Sequence, residues 1–560
     1  MGALPDCHLI RRRVLHLRAL ASPLLGPLVL VALAPAAAAQ LGPPPVPAEN
    51  PITEPKRLLG KALFWDEQLS SDNTVACGTC HIPGFGGSDP RADLLGRDPG
   101  LDGVVGTADD KVGSPGLVST DATGDYSPHP VFGLERQITS RSASSPIGAA
   151  HFFELFWDGR AEGTFFDPET GGVAIANYGA LESQAVGPIV SSVEMAYPGR
   201  TWDDVREKLE RVEPLALASD LNPDLVQILG IAPTYPDLFT LAFGDPAITA
   251  KRIGFALATY QRTLNPDQTP WDQWVLGVPG AMTSQQQAGW QAFQNGNLKC
   301  AVCHVPPLFS DGSYRNLGLR DIAEDAGRQE VTGEFSDRGK FKTPSLRNAG
   351  LRPRFFHNAD PTWSNLFLSV FFYNQGGGLF LDNKDPLLAG IVMSPQTAAD
   401  ITEFISGALT DPRVAAELPP FDRPSLASEG ASAPVLVGTG VAGTGGIVPS
   451  MIAITPSKAG NREFKLGLGD ARGGSRAVLA VRATAPGTVT GGYEHGTWML
   501  AGAPVVLPGS GAGKGYATWT RPIADDPALI GTELWLQWRV EDPQAPRGLA
   551  RTPWAHVTIF

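Results

Sequence analysis

Cys77-Gly78-Thr79-Cys80-His81 and Cys300-Ala301-Val302-Cys303-His304 repeat one five-residue cassette, C-x-x-C-H, and that repeat decides how the chain reads. Two thiols three positions apart share one helical turn. They can bond to the two vinyl groups of one porphyrin while the imidazole that follows swings beneath the ring to ligate iron. The chain is therefore expected to carry two covalently bound haem c groups, one on Cys77, Cys80 and His81, the other on Cys300, Cys303 and His304. A lone C-x-x-C also suits a redox dithiol or half a zinc site. Zinc, however, would need the two pairs to converge on one metal and has no use for the trailing histidines.

Cysteine usage and the N-terminus extend the argument. Of the 5 Cys only Cys7 lies outside the cassettes. Residues 1–39 read as a secretory signal peptide, with Arg11, Arg12, Arg13 and Arg18 as a basic front, an apolar stretch from about Ala19 to Leu33, and Ala37-Ala38-Ala39 before Gln40 as a cleavage site. Pro23, Pro27 and Pro35 interrupt that stretch and weigh against a membrane-spanning helix. The trimmed chain is expected to be periplasmic, with no spare thiol and no disulfide. The formal charge of −13 becomes −16 once Arg11, Arg12, Arg13, Arg18 and Asp6 leave with the signal. Nucleic acid and anionic membrane surfaces are thereby disfavoured as partners, and a basic protein or a small neutral substrate suits better.

The rest of the chain divides by pattern. Leu58, Leu59, Leu63 and Phe64 predict a helix over Glu54–Phe64 ahead of the first cassette, and Thr283-x-x-Gln286 opens another, with Trp290 and Phe293, ahead of the second. Further helices are expected from Thr201-Trp202-Asp203-Asp204 and over Ile248–Leu264. Residues 40–275 and 276–423 thus read as two mainly α, cytochrome c-like haem domains with long loops. Residues 424–450, bulk Gly, Pro and Ser, read as a flexible linker. Period-two segments (Phe464, Leu466, Leu468; Leu534, Leu536, Trp538, Val540) make 451–560 a small all-β, sandwich-like accessory domain, whose His495 and His556 read as surface or core residues.

Several segments resemble one family. They are Phe156-Trp157-Asp158-Gly159-Arg160-Ala161, then Gln184-Ala185-Val186-Gly187-Pro188-Ile189 leading to Val193-Glu194-Met195, then Phe341 to Asn348, and Phe355-Phe356-His357. With Leu59-Gly60-Lys61, Leu409-Thr410-Asp411 and Pro420-Phe421-Asp422-Arg423-Pro424, they resemble the bacterial dihaem cytochrome c peroxidase and MauG family over about residues 50–425. The resemblance implies a peroxidatic N-terminal haem, a C-terminal haem that stores and relays electrons, and Trp157 between them. It also implies Glu194 as the acid–base group for peroxide cleavage and Gln184 as a distal hydrogen-bonding residue. The function expected is reduction of hydrogen peroxide to water. Electrons would come from a small c-type cytochrome or another periplasmic donor. The alternative is a MauG-like oxidase that oxidises a partner protein through a high-valent state. A non-catalytic dihaem electron carrier is a third reading, against which Gln184 and Glu194 in register argue. A homodimer is implied by analogy alone.

The departures matter as much. Members that need reductive activation carry a distal histidine upstream of the tryptophan; the matching place here is near Leu134, and His129 is the nearby candidate. For the second haem, Phe371-Phe372-Tyr373-Asn374-Gln375-Gly376-Gly377 resembles the tyrosine-ligated members, with Met393 as the rival ligand. The family's Ca2+ ion lies near an Asn and a Thr-x-Pro, where this chain has Ser142 and Arg352-Pro353-Arg354. Asp102-Gly103, Thr107, Asp109 and Asp110 offer oxygen ligands without EF-hand spacing and read either as a Ca2+ turn or as a solvated acidic turn. A second insertion, about Gly163–Leu181, is expected to shape access to the distal pocket.

Overall fold

The computed structural model describes residues 40–430, 433–486 and 498–560; the expected signal peptide, Cys7 and His495 lie outside them. Among the described residues no helix is long and apolar enough to cross a membrane. The N-terminal region is mostly helical and the C-terminal region mostly β-sheet.

Helix α1 (Glu54–Trp65) has Pro55 in its first turn, where a missing N–H costs nothing, and ends at Asp66, whose carboxylate accepts from Gln68 N at 2.9 Å. It crosses the helix Ala250–Thr263 at Gly60, where a Cβ would lie 1.9 Å from the Ala256 carbonyl oxygen. Trp65 Nε1 donates to Tyr260 Oη at 3.0 Å across that crossing. The Trp65 ring also covers Gly78 of helix α2 (Cys77–Cys80), where a Cβ would come within 2.2 Å of it. The first cassette is seated on α1 because its second residue has no side chain.

The second cassette follows a helix over Ser284–Phe293, opened by a reciprocal capping box in which Thr283 N donates to Gln286 Oε1 at 3.0 Å and Gln286 N to Thr283 Oγ1 at 3.2 Å. Trp290, Phe293, Phe309 and Phe404 pack their rings together beneath it, with centroids 5.4–6.1 Å apart.

Beyond residue 433 two antiparallel sheets form. Strands 450–452, 465–473 and 511–520 make one; strands 435–437, 476–482, 533–541 and 554–558 make the body of the other, extended by short strands at 499–500, 505–506 and 549–551. Leu466 and Leu468 from the first meet Leu479, Leu536, Trp538 and Val540 from the second in one buried cluster. The stretch 424–450 differs from the flexible linker its composition suggests. Val435–Val437 pairs with Trp554–His556, and the Glu67 carboxylate accepts from the amides of Ala427 and Ser428 at 2.9 and 3.1 Å. Its glycines serve turns between bonded segments.

Candidate dihaem site

Both cassettes open onto one continuous cavity of about 610 Å³ with mainly apolar walls. Among the described residues their four thiols form no disulfide, and they are half-buried. After each histidine the chain doubles back so that a backbone carbonyl meets the ring: His81 Nδ1 lies 3.2 Å from Gly87 O, and His304 Nδ1 lies 3.0 Å from Phe309 O. With Nδ1–H donated, Nε2 carries the lone pair, the tautomer and orientation an iron ligand needs. Burial depresses the basicity of both rings, which favours the neutral imidazole. Thiols, tautomers and cavity together fit two covalently held haems.

The Phe-Trp-Asp-Gly-Arg segment is built around Trp157. The indole is buried, donates from Nε1 to Ser142 O at 2.9 Å and lies edge-on to His357 with ring centroids 6.3 Å apart. Phe156, just before it, has φ 66, an unusual value for a bulky residue, and its ring is covered by the Arg160 guanidinium at 3.6 Å. Asp158 pairs with Arg141 and Arg160; burial opposes its charge, but the two guanidinium groups outweigh that and hold the carboxyl below its usual range. At Gly159 a Cβ would meet the Tyr314 hydroxyl at 2.0 Å.

Gln184, near the end of helix α3 (Ala180–Ala185), and Glu194 both stand on the cavity wall with Trp157 and the first cassette. Glu194 sits in a tight turn whose Ser191 carbonyl accepts three successive amides, those of Glu194, Met195 and Ala196, at 3.2, 3.0 and 2.9 Å. Burial raises its carboxyl above the ordinary range, only partly countered by the Ser191 hydroxyl and the charge of Arg160. A carboxyl shifted upward in this way takes up a proton more readily than an exposed one, as acid–base exchange requires.

Tyr373 and Met393 share the wall by the second cassette, and their segments are joined by Met393 N donating to Asn374 Oδ1 at 2.7 Å. Burial, reinforced by the Cys303 and Cys300 thiols, pushes the Tyr373 hydroxyl well above its usual range. His129 stands outside the cavity, with Nδ1 accepting from the amides of Val131 and Phe132 at 3.1 and 3.3 Å; Leu134 packs with Val118, Tyr126 and Ile452.

Neither calcium candidate fits a calcium ion. Ser142 donates its hydroxyl to Phe356 O at 2.8 Å, and an Arg352 guanidinium donates to Ala143 O at 3.0 Å, so a cationic group occupies that corner. In the acidic turn, Asp109 accepts from the amides of Leu101 and Asp102 at 2.7 and 3.1 Å and Asp110 from Gly106 N at 2.8 Å. These carboxylates cap their own loop. The second insertion forms a small hairpin, Phe165–Phe166 with Val173–Ile175.

Sequence reasoning assigned no role to His357 or Arg347. His357 is buried, stacks on Phe341 at 3.5 Å and has no partner at Nε2 among the described residues; burial pulls its ring down to about 3. Arg347 forms a two-pronged pair with Asp272, both prongs 2.7 Å, and donates to Pro307 O and Pro266 O at 2.8 Å each. Both lie in motifs the sequence displays, Phe-Phe-His and Pro-Ser-Leu-Arg-Asn.

The family described as di-haem cytochrome c peroxidase matches residues 54–279. The methylamine utilization protein MauG of Methylorubrum extorquens is 30% identical over 379 residues, 66% of this chain and 82% of that protein. The cytochrome-c peroxidase IdrP1 of Denitromonas iodatirespirans is 28% identical, covering 67% of this chain and 87% of its own. The cytochrome c peroxidase Ccp of Escherichia coli is 29% identical over 354 residues, 62% of this chain; the match spans 59% of that relative's length. The chain belongs to the dihaem cytochrome c peroxidase and MauG family.

Proposed function

We propose that this protein is an exported dihaem c-type peroxidase that reduces hydrogen peroxide, H2O2 + 2e− + 2H+ → 2 H2O. The observation that carries the reading is one cavity joining the first cassette to Glu194 and Gln184, and the second cassette to the same wall through Trp157. Cys77, Cys80 and His81 would hold the first haem, and Cys300, Cys303 and His304 the second. Haem iron supplies a site for peroxide and a store for electrons. Glu194 takes a proton from the bound peroxide and returns it to the departing oxygen, Gln184 orients the peroxide by hydrogen bonding, and Trp157 keeps a rigid aromatic contact between the two halves. Electrons enter from a small c-type cytochrome or another periplasmic donor. Two sheets sharing one core support a sandwich for the C-terminal module.

Purified protein should have the mass of the trimmed chain plus two haems. Stoichiometric H2O2 should change its oxidised spectrum during mixing, with peroxide consumed at two donor electrons each. A protein with both irons low-spin and inert to peroxide would be an electron carrier instead.

Tyr373 on the second cassette's wall favours a second reading, a MauG-like oxidase acting on a partner protein. A phenolate ligand stabilises ferric iron. Tyr373→Phe is then expected to shift the second haem's spectrum and raise its potential in redox titration, while Met393→Leu changes neither. The reverse pattern makes Met393 the ligand and cytochrome-fed peroxide removal the sole reading.

A further inference from the structure

Strands β1 (Pro115–Val118) and β2 (Arg136–Ile138) form the root of a long arm that runs from the Glu194 wall to the C-terminal sheets. Gly116, Phe132 and Ile138 of this arm line the cavity. The root fits tightly against the Glu194 turn. A Cβ at Gly116 would lie 1.8 Å from Val193 O and 3.1 Å from Glu194 Cα, and Gln137 Nε2 donates to Ser192 O at 2.8 Å.

The far end of the arm lies on strand 465–473. Tyr126 is 2% exposed, and its ring occupies the space a side chain at Gly467 would need, 2.6 Å from where a Cβ would be. At Gly469 a Cβ would meet Ser450 Oγ at 2.5 Å and, from the arm, Leu134 at 3.0 Å. Tyr126 N donates to Thr518 Oγ1 at 2.7 Å, and Lys465 Nζ donates to Gly124 O at 2.6 Å and stands 4.8 Å over the Tyr126 ring. The sheets are also anchored beside the first cassette, by Asn73 to Asn461 at 3.1 Å and Lys208 to Glu463 at 2.7 Å.

We propose that the β module is a brace for the first site, and that Tyr126 is a positioning residue that holds Glu194, through the arm, at its working distance from peroxide. The proposal rests on the reading of Glu194 as the acid–base group. A long surface loop without such a clasp opens easily, and a displacement of about 1 Å at a proton-transferring group costs up to ~10²-fold in rate. The two glycines give the strand a shape that receives the arm. The Tyr126 hydroxyl faces Thr455 and, among the described residues, has no hydrogen-bond partner at ordinary geometry, so the ring does the clasping. If the contact served stability alone, its loss would lower the melting temperature and leave peroxide chemistry unchanged.

The test compares Tyr126→Ala, Tyr126→Phe, Gly467→Ala and Glu194→Gln in the dihaem protein, reading the rate constant with H2O2 and hydrogen exchange over 115–138 and 191–195. Tyr126→Ala and Gly467→Ala, which break the clasp from opposite sides, should each slow the reaction about tenfold or more. Both should speed exchange in both segments and leave the second haem's spectrum unchanged. Tyr126→Phe should restore parental rate and exchange. Should Tyr126→Ala not fold, Gly467→Ala carries the test. Parental rates in the clasp variants beside a slow Glu194→Gln overturn the brace alone. A parental rate in Glu194→Gln overturns the acid–base reading on which it rests.

Discussion

Glu194→Gln is expected to slow the reaction of the oxidised protein with hydrogen peroxide by roughly two orders of magnitude or more, the usual contribution of a general acid–base group, while both haems stay attached. The amide keeps the size and hydrogen-bonding reach of the carboxyl and cannot carry the proton. Among the described residues Glu194 makes no ion pair of its own. Burial already works against its charge, so neutralising it should cost the fold little. Because burial raises the carboxyl above the ordinary range, the parental rate should fall on acidification through a pH above that range. The Gln variant should lose that limb. Stopped-flow rates across pH, with thermal unfolding of both proteins, check the claim. A variant reacting at the parental rate would assign proton transfer elsewhere on the wall.

The two C-x-x-C-H cassettes are legible because their pattern is local. Two thiols and an imidazole within five residues carry their own meaning, and the capping box at Thr283 and Gln286 is likewise a matter of three-residue spacing. Gln184, Glu194 and Trp157 were legible only as members of motifs; their meeting in one cavity depends on the tertiary fold. The bonding within 424–450 is hidden for a similar reason. Composition reports that a segment turns often, but the partner for Val435–Val437 lies more than a hundred residues on, where no local pattern can reveal it. Ser142 shows the limit most plainly. Its carbonyl receives the Trp157 indole, its hydroxyl donates to Phe356 O and its amide to His357 O, so one small residue joins two distant motifs. Nothing in a lone serine announces that.

Arg347→Leu is expected to cost about 3–5 kcal/mol, the penalty for leaving one member of a buried ion pair without its partner. Arg347 and Asp272 side chains are 1% and 0% exposed, so the carboxylate left behind could not recruit water. The damage should reach the second haem. Arg347 Nε holds Pro307 O at 2.8 Å, and two residues further on Phe309 O is the acceptor that orients His304. Without the guanidinium the loop from His304 to Phe309 loses its post, and the imidazole loses its fixed tautomer and direction. Intact mass should therefore show a fraction of protein lacking the second haem, and denaturant unfolding should begin earlier at that site than at the first. Arg347→Lys should rescue poorly, because a point charge cannot make the two-pronged pair and reach both proline carbonyls. Adding Asp272→Asn to Arg347→Leu should recover part of the stability, since the stranded charge is gone, but not the spectrum, since the bond to Pro307 is still missing. If the double variant regained both, the pair would matter for charge alone and the orientation of His304 would have to be set by other contacts.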